Sequence, residues 1–234
     1  MSRAWDVATS WAATLLRGAP SGLRVGPCGE RPGQPLVLYE FEACPFCRKV
    51  REALSMLDLE AHIYPCPRGG QRYRPEVVRM GGKAQFPYLR DPNTGRSMYE
   101  SDEIIDYLYE RYGRGAPARA LRLGPLTALG CGLASAARVD RGRSARPSTD
   151  AREPLELWSF EASPYCRLVR EVLCELELPY LLHNVAQGSP RRAAFLERSG
   201  KLQVPYLHDP NTQRALFESD AIVRYLDATY GTRI

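Results

Sequence analysis

Two stretches of this chain are one segment written twice. PLVLYEFEACPFCRKVREALSMLDL (residues 35–59) aligns with PLELWSFEASPYCRLVREVLCELEL (residues 154–178) at an offset of 119, and 15 of the 25 positions are identical. After a one-residue slip, GKAQFPYLRDPNTGRSMYESDEIIDYL matches GKLQVPYLHDPNTQRALFESDAIVRYL, and each copy ends in Tyr-Gly (Tyr112-Gly113, Tyr230-Gly231). Solenoid repeats run to roughly 20–50 residues, so a period near 118 marks tandem domains instead. The chain is then organised as an N-terminal helix and linker (1–35), a first domain (36–113), a connector (114–153) and a second domain (154–234).

Each copy predicts the same elements. Leu36–Phe41 is an apolar strand running into a turn at the CPFC. A helix to about Leu59 follows, with Val50, Leu54 and Leu57 at helical spacing. Next come a short strand at His62–Tyr64, a helix within Arg72–Met80 and a buried strand at Phe86–Leu89. DPNTG (Asp91–Gly95) has hairpin-turn chemistry, Arg96–Tyr99 returns as a strand, and Ser101–Tyr112 is a helix whose serine suits a cap. The order βαβαββα is an α/β architecture, a mixed sheet with helices on both faces.

Charge separates the copies from what joins them. The net +5 is carried by residues 114–153, while each copy is near neutral. That connector holds no Tyr, Phe or Trp, so it lacks the aromatics interleaved with basic residues that single-stranded nucleic acid requires, and no nucleic-acid partner is expected. Its uncharged run Leu123–Ala137, 15 residues long, falls short of the roughly 20 needed to span a bilayer, and its small residues suit a groove between domains better than a membrane surface. At the N-terminus, Trp5, Ala8, Trp11, Ala12, Leu15 and Leu16 recur at helical spacing, which predicts an amphipathic helix docked on one domain. Asp6 and Thr9-Ser10 interrupt any signal-peptide core, and residues 17–35, rich in Gly and Pro, have linker composition.

Seven cysteines is an odd and sparse count, against a secreted disulfide scaffold; Cys28, Cys66, Cys131 and Cys174 show no pairing pattern and are expected as unpaired structural thiols. Cys44 and Cys47 differ. A zinc site needs two more ligands at compatible spacing, and the chain has no second CxxC and three scattered histidines, so no metal is expected. With Pro45 as first helical residue, Cys44 takes the cap position, where free N–H groups and the helix dipole favour a thiolate. Cys47, one turn on, is placed to resolve a mixed disulfide. Arg48 either adds positive potential there or is simply exposed.

CPFC on a strand–helix turn, a strand beginning at a proline and Glu-Ser opening the last helix together resemble glutaredoxin, and equally the glutathione-binding N-terminal domain of the glutathione transferases. The resemblance implies a thioredoxin-type fold in each copy and glutathione as co-substrate. It implies that Cys44 is the catalytic thiol and Cys47 the resolving one. Pro87 would be a cis-proline whose predecessor, Phe86, holds the cysteinyl part of glutathione through its backbone. Glu100 and Ser101 would bind the γ-glutamyl end, Ser101 being otherwise a plain helix cap, and Lys83 would reach the glycyl carboxylate. In the second copy Ser163 replaces the leading cysteine. It is either an ordinary cap or a hydroxyl that hydrogen-bonds a bound glutathione thiolate, with Cys166 in the first turn. Lys201, Val204, Pro205, Glu218 and Ser219 keep the rest of the glutathione-site pattern.

The resemblance to complete glutathione transferases stops at residue 113, because their helical second domain has no room before the second copy. The expected function is a glutathione-linked thiol–disulfide oxidoreductase acting through Cys44 and Cys47 on a disulfide or glutathionylated substrate in the cytoplasm. A conjugating transferase and a non-enzymatic glutathione-binding module are the alternatives.

Overall fold

The computed structural model describes residues 3–16, 22–118, 121, 138 and 141–232; the apolar run Leu123–Ala137, Cys131 included, lies outside them. The first copy folds as β1 (Leu36–Glu40), α2 (Pro45–Met56), β2 (Ala61–Pro65), α3 (Arg74–Gly81), β3 (Tyr88–Asp91), β4 (Arg96–Met98) and α4 (Ser101–Tyr112), after an N-terminal α1 (Arg3–Leu16). The second repeats it as β5 (Leu155–Ser159), α5 (Pro164–Glu175), β6 (Tyr180–Asn184), α6 (Arg191–Ser199), β7 (Tyr206–Asp209), β8 (Arg214–Phe217) and α7 (Ser219–Tyr230). The βαβαββα order therefore holds in both, a pair of thioredoxin-like domains. The third strand begins at Tyr88 and not at Phe86, because Pro87 has no N–H to give the ladder. Helix α3 starts two residues later than expected, with Pro75 in its first turn.

Within each copy the first strand pairs parallel with the second and antiparallel with the third (Leu38 with Ile63 and Leu89; Leu157 with Leu182 and Leu207), and the third pairs antiparallel with the fourth. The two sheets are also one. β2 pairs antiparallel with β6, Ala61 with Leu182 and Ile63 with Tyr180, giving the order β4-β3-β1-β2-β6-β5-β7-β8. Each copy thereby covers the other's exposed edge strand, the edge most prone to unwanted pairing. Strand alternation sorts the core into layers. Leu36, Leu38 and Ile63 face α2 and α4 in a cluster continuous with Leu155, Leu157 and Leu182 of the second copy. On the opposite face, Tyr39, Tyr88 and Val77 form one aromatic-rich cluster and Trp158, Phe195 and Tyr206 its counterpart.

The hairpin turn and the last helix are tied by one carboxylate per copy. Buried Asp91 accepts hydrogen bonds from the Tyr107 (2.6 Å) and Tyr112 hydroxyls and from the Asn93 N–H (2.8 Å). Asp209 does the same for Tyr225, Tyr230 and Asn211. Burial works against both charges, yet these donors hold both carboxyls below the usual range.

Residues 22–35 form no helix or named strand, but they are bound throughout. Val25 N–H donates to Gln187 O (2.9 Å) in the second copy, and Gly29 N–H to Tyr112 O (2.7 Å) in the first. Residues 141–153 mirror this: Arg68 N–H donates to Arg143 O (2.7 Å) and Thr149 N–H to Tyr230 O (2.8 Å). Each strap thus crosses from one copy to the other. Gly113 and Gly231 are needed where the straps land, since a Cβ there would lie 2.7 and 2.6 Å from the Tyr109 and Asp227 carbonyl oxygens.

Helix α1 packs on α5, but not by the face its spacing predicts. Trp5 and Trp11 are 58% and 45% exposed, whereas Ser10 is buried with its hydroxyl donating to Pro164 O (2.7 Å). Arg138 donates to Asp6 O (2.8 Å) and the Thr9 hydroxyl, so polar groups supply the docking contacts. At the start of α5 the Pro164 carbonyl accepts from Ser10 and the buried Arg167 donates to Ser10 O (3.4 Å), so α1 meets this helix through polar groups.

Behind the two cysteine and serine turns lies a buried ion cluster shared by both copies. Arg51 reaches Glu161 (3.0 Å), Glu42 (3.3 Å) and Glu40, while Arg170 reaches Glu42 (3.1 Å) and Glu161 (2.9 Å). Arg48 belongs to it as well. It is buried against Glu52 (3.2 Å) and Glu161 (4.0 Å), so it is neither exposed nor among the main influences on the Cys44 thiol.

Candidate active site

The strand–turn–helix junction of the first copy creates the site. Pro45 opens α2, and Cys44 caps it in extended backbone (φ −75°, ψ 121°) with its Sγ accepting the Cys47 N–H at 3.2 Å. Burial is the strongest influence on Cys44 and opposes ionisation. Hydrogen bonds from the Cys47 thiol and from the Cys47 and Phe46 N–H groups outweigh it, and the thiol lies below the ordinary range. Cys47 goes the other way: complete burial, the bond to Cys44 and the Glu40 charge push its thiol well up. Glu40, carried by the end of β1 and itself pushed up to about 7 by burial, raises both. The pair is thus divided into one thiol lowered and one raised. Cys44 is 3% exposed, so its reactivity is set by access as well as by thiolate fraction.

Pro87 follows Phe86 through a cis peptide bond, and Pro205 follows Val204 through another. The Phe86 ring packs edge-on to Phe41 (6.2 Å), and the Arg74 guanidinium stands 4.7 Å above it. Glu100 and Glu218 adopt φ +62° and +67°, a left-handed backbone that non-glycine residues rarely hold, at the same point of each copy. Helix α4 begins after Glu100 and α7 after Glu218, neither with a side-chain cap bond. Ser101 and Ser219 are therefore the first helical residues and not caps, which removes the plain capping role for Ser101. Lys83 and Lys201 lie over aromatic rings, 4.7 Å from Tyr99 and 4.1 Å from Phe217.

Two glutamines escaped sequence reasoning. The Gln85 amide donates to Glu100 and the Gln203 amide to Glu218, fixing the strained carboxylates beside the cis-prolines. The signal was available, since Gln-X-Pro is one of the elements both copies share.

In the second copy Ser163 reproduces the cap (φ −73°, ψ 119°), accepting the Cys166 N–H at 3.2 Å. This uses an oxygen lone pair and leaves the hydroxyl proton to donate. Above it opens a cavity of about 550 Å³, walled by Trp11 of α1, Leu23 of the strap, Tyr165, Leu202 and Val204. The exposed Trp11, edge-on to Tyr165 at 6.4 Å, finds its place here. Among the described residues all cysteines are thiols, no group of side chains is arranged to hold a metal, and no helix is long and apolar enough to cross a membrane.

Glutathione S-transferase GstB of Escherichia coli is 40% identical over 81 residues, covering 34% of this chain and 39% of its own. Glutathione S-transferase-like protein gedE of Aspergillus terreus is 33% identical over 79 residues, 34% of each chain. The chain thus spans under two-fifths of the length of these curated relatives. Among solved structures, the Bombyx mori glutathione transferase BmGSTD1 aligns at 30% identity over 37% of this chain and 39% of that one, with a TM-score of 0.33. Leishmania TDR1, described as a unique trimeric glutathione transferase, aligns at 15% identity over 86% and 68%, with a TM-score of 0.32. The family model for the glutathione S-transferase N-terminal domain matches twice, at residues 38–117 and 157–233. With both copies matched, the chain belongs to the glutathione S-transferase N-terminal domain family.

Proposed function

We propose that the chain is a glutathione-linked thiol–disulfide oxidoreductase whose chemistry runs in the first copy. The observation that carries this reading is the seat of the pair: Cys44 caps α2 with its Sγ accepting the Cys47 N–H at 3.2 Å, and Cys47 is buried one turn on, an arrangement that lowers the first thiol and raises the second. The Cys44 thiolate attacks the glutathionyl sulfur of a mixed disulfide. The S–S bond breaks, its electron pair leaves with the substrate sulfur, and that thiolate takes up a proton. Cys44 is left joined to glutathione. A second glutathione thiolate then attacks that disulfide, releasing oxidised glutathione and restoring the Cys44 thiolate; alternatively Cys47, its proton passing to the departing glutathione thiolate, displaces glutathione and closes the Cys44–Cys47 disulfide, which two further glutathione molecules reduce as they leave as oxidised glutathione.

Glutathione is seated by the Phe86 backbone along its cysteinyl part and by Glu100 and Ser101 at its γ-glutamyl end. There a carboxylate meets the amine and the first N–H groups of α4 meet the carboxylate. Such a cycle belongs to a reducing compartment such as the cytoplasm. The test is reduction of a small glutathione mixed disulfide. Cys44→Ser should abolish turnover and Cys47→Ser should leave the glutathione-resolved route working; unchanged turnover in Cys44→Ser would refute the assignment.

A second reading applies to the second copy, favoured by the apolar cavity over Ser163. Here the Ser163 hydroxyl would donate to a glutathione thiolate held by Val204, Pro205, Glu218 and Ser219. An apolar electrophile would lie against Trp11 and Tyr165. Conjugation of a model aryl halide that survives Cys44→Ser, falls in Ser163→Ala and shows a raised KM in Trp11→Ala supports it. Absence of any conjugation refutes it.

A further inference from the structure

We infer that Arg138, in the connector, is a positioning residue for the second copy's cavity: by tying α1 to α5 it holds Trp11 over Ser163, and so sets the affinity of that cavity for an apolar ligand. This deepens the reading of the cavity as a seat for an apolar electrophile, on which it rests for the chemistry of the ligand. Helix α1 needs support from outside itself. Its 14 residues lie where an isolated helix is marginal in water, at about 12–15 residues. Apolar burial does not supply that support, since Ala4, Trp5, Ala8, Trp11 and Ala12 are all exposed.

Polar bonds supply it instead, and most of them converge on Arg138, which is buried. Its Nε and Nη2 donate to the two carboxylate oxygens of Glu171 in α5, at 2.7 and 2.6 Å. Its Nη1 donates to Asp6 O (2.8 Å) and to the Thr9 hydroxyl, and Nη2 also reaches Asp6 Oδ1 at 3.3 Å. These bonds match the five N–H donors of a guanidinium, with the charge-assisted fork on α5 and the rest on α1. One neutral bond completes the docking, from the Ser10 hydroxyl to Pro164 O at 2.7 Å, beside the serine turn. Trp11 is the next residue, and its ring stands edge-on to Tyr165 at 6.4 Å as one wall of the cavity of about 550 Å³. Arg138 is not among the residues that line that cavity, so its influence there runs through α1.

The test titrates the neutral apolar dye phenylnaphthylamine into the full chain and reads its fluorescence. Trp11→Ala and Arg138→Met should each weaken dye binding roughly fivefold. Adding Arg138→Met to Trp11→Ala should weaken it by less than about twofold more, because both changes remove the same wall. No dye binding by the natural chain, natural affinity in either single variant, or losses that multiply in the double variant would overturn the assignment. Arg138→Met strands the buried Glu171 carboxyl, which burial pushes up and the Arg138 bond draws down. Should that variant not fold, Asp6→Ala combined with Thr9→Val removes only the side-chain acceptors on α1, and the same outcomes decide. Conjugation of a model aryl halide separates this role from the reading beneath it. A halide KM raised in Arg138→Met, with kcat and the glutathione KM unchanged, supports the role; an unmoved halide KM overturns it and leaves conjugation standing. Absence of conjugation in the natural chain, with the dye pattern as expected, refutes the electrophile and supports the positioning of Trp11.

Discussion

The two copies share a backbone and differ in what they place on it. Cys44 and Ser163 cap their helices with φ and ψ within 2° of each other, and each accepts the N–H three residues on at 3.2 Å. The same helix end thus lowers a thiol in one copy and orients a hydroxyl in the other. Glu40, at the end of β1, is Ser159 in the second copy, so the buried acid beside the thiol pair is also confined to the first. In exchange, the second copy alone receives α1, whose Trp11 walls an apolar cavity over Ser163. The lesson is that duplication preserved the helix cap, the cis-proline and the positive-φ glutamate twice, while only the first turn leads with a thiol.

Exchanging the turn residues breaks the comparison most severely. Cys44→Ser should reduce mixed-disulfide turnover to background. Adding Ser163→Cys to that variant should restore measurable turnover, since the cap geometry is already there; assay of the two proteins side by side decides. The next effect is on stability. Arg51→Met strips a partner from Glu40, Glu42 and Glu161 at once and should cost about 3–5 kcal/mol in urea unfolding. Asp91→Ala and Asp209→Ala each orphan two tyrosine hydroxyls and should cost at least about 2 kcal/mol, equally in both copies.

The subtlest effect is a pH slope. A carboxyl raised on folding stabilises the fold below its unfolded pKa and loses that contribution as pH climbs through the folded one. For Glu40 the window runs from the ordinary 4.5 to about 7. Stability of the natural chain should therefore fall across that window relative to Glu40→Gln, as urea midpoints at pH 5 and 7.5 would report.

Much of this could be read from the residues. The repeat fixed two domains, apolar alternation gave their strands, and Cys-Pro-x-Cys gave the capped thiol, because each depends on neighbours in sequence. What could not be read depends on contacts between the copies. Nothing in AHIYP or YLLHN says that β2 and β6 pair with one another, since an edge strand looks the same whether covered or free. Arg48 had the look of a surface residue because its partners, Glu52 apart, come from residue 161 onward. Helix α1 misled for a related reason. Its tryptophans mark a face, but the partner groups awaiting it on α5 were a carbonyl and a guanidinium. Glu100 and Ser101 are expected from the motif alone, whereas the positive φ of the glutamate and the Gln85 amide that bonds it required coordinates.

The central claim is that the first copy's helix end makes a thiolate of Cys44. Its most direct test is the pH dependence of alkylation at Cys44, followed by mass spectrometry of the peptide that carries it in the full-length protein. The account predicts a titration midpoint below the ordinary thiol value of about 8.5 and modification at neutral pH, with Cys47 unmodified over the same range. A midpoint at or above the ordinary value, or Cys47 reacting ahead of Cys44, would contradict it.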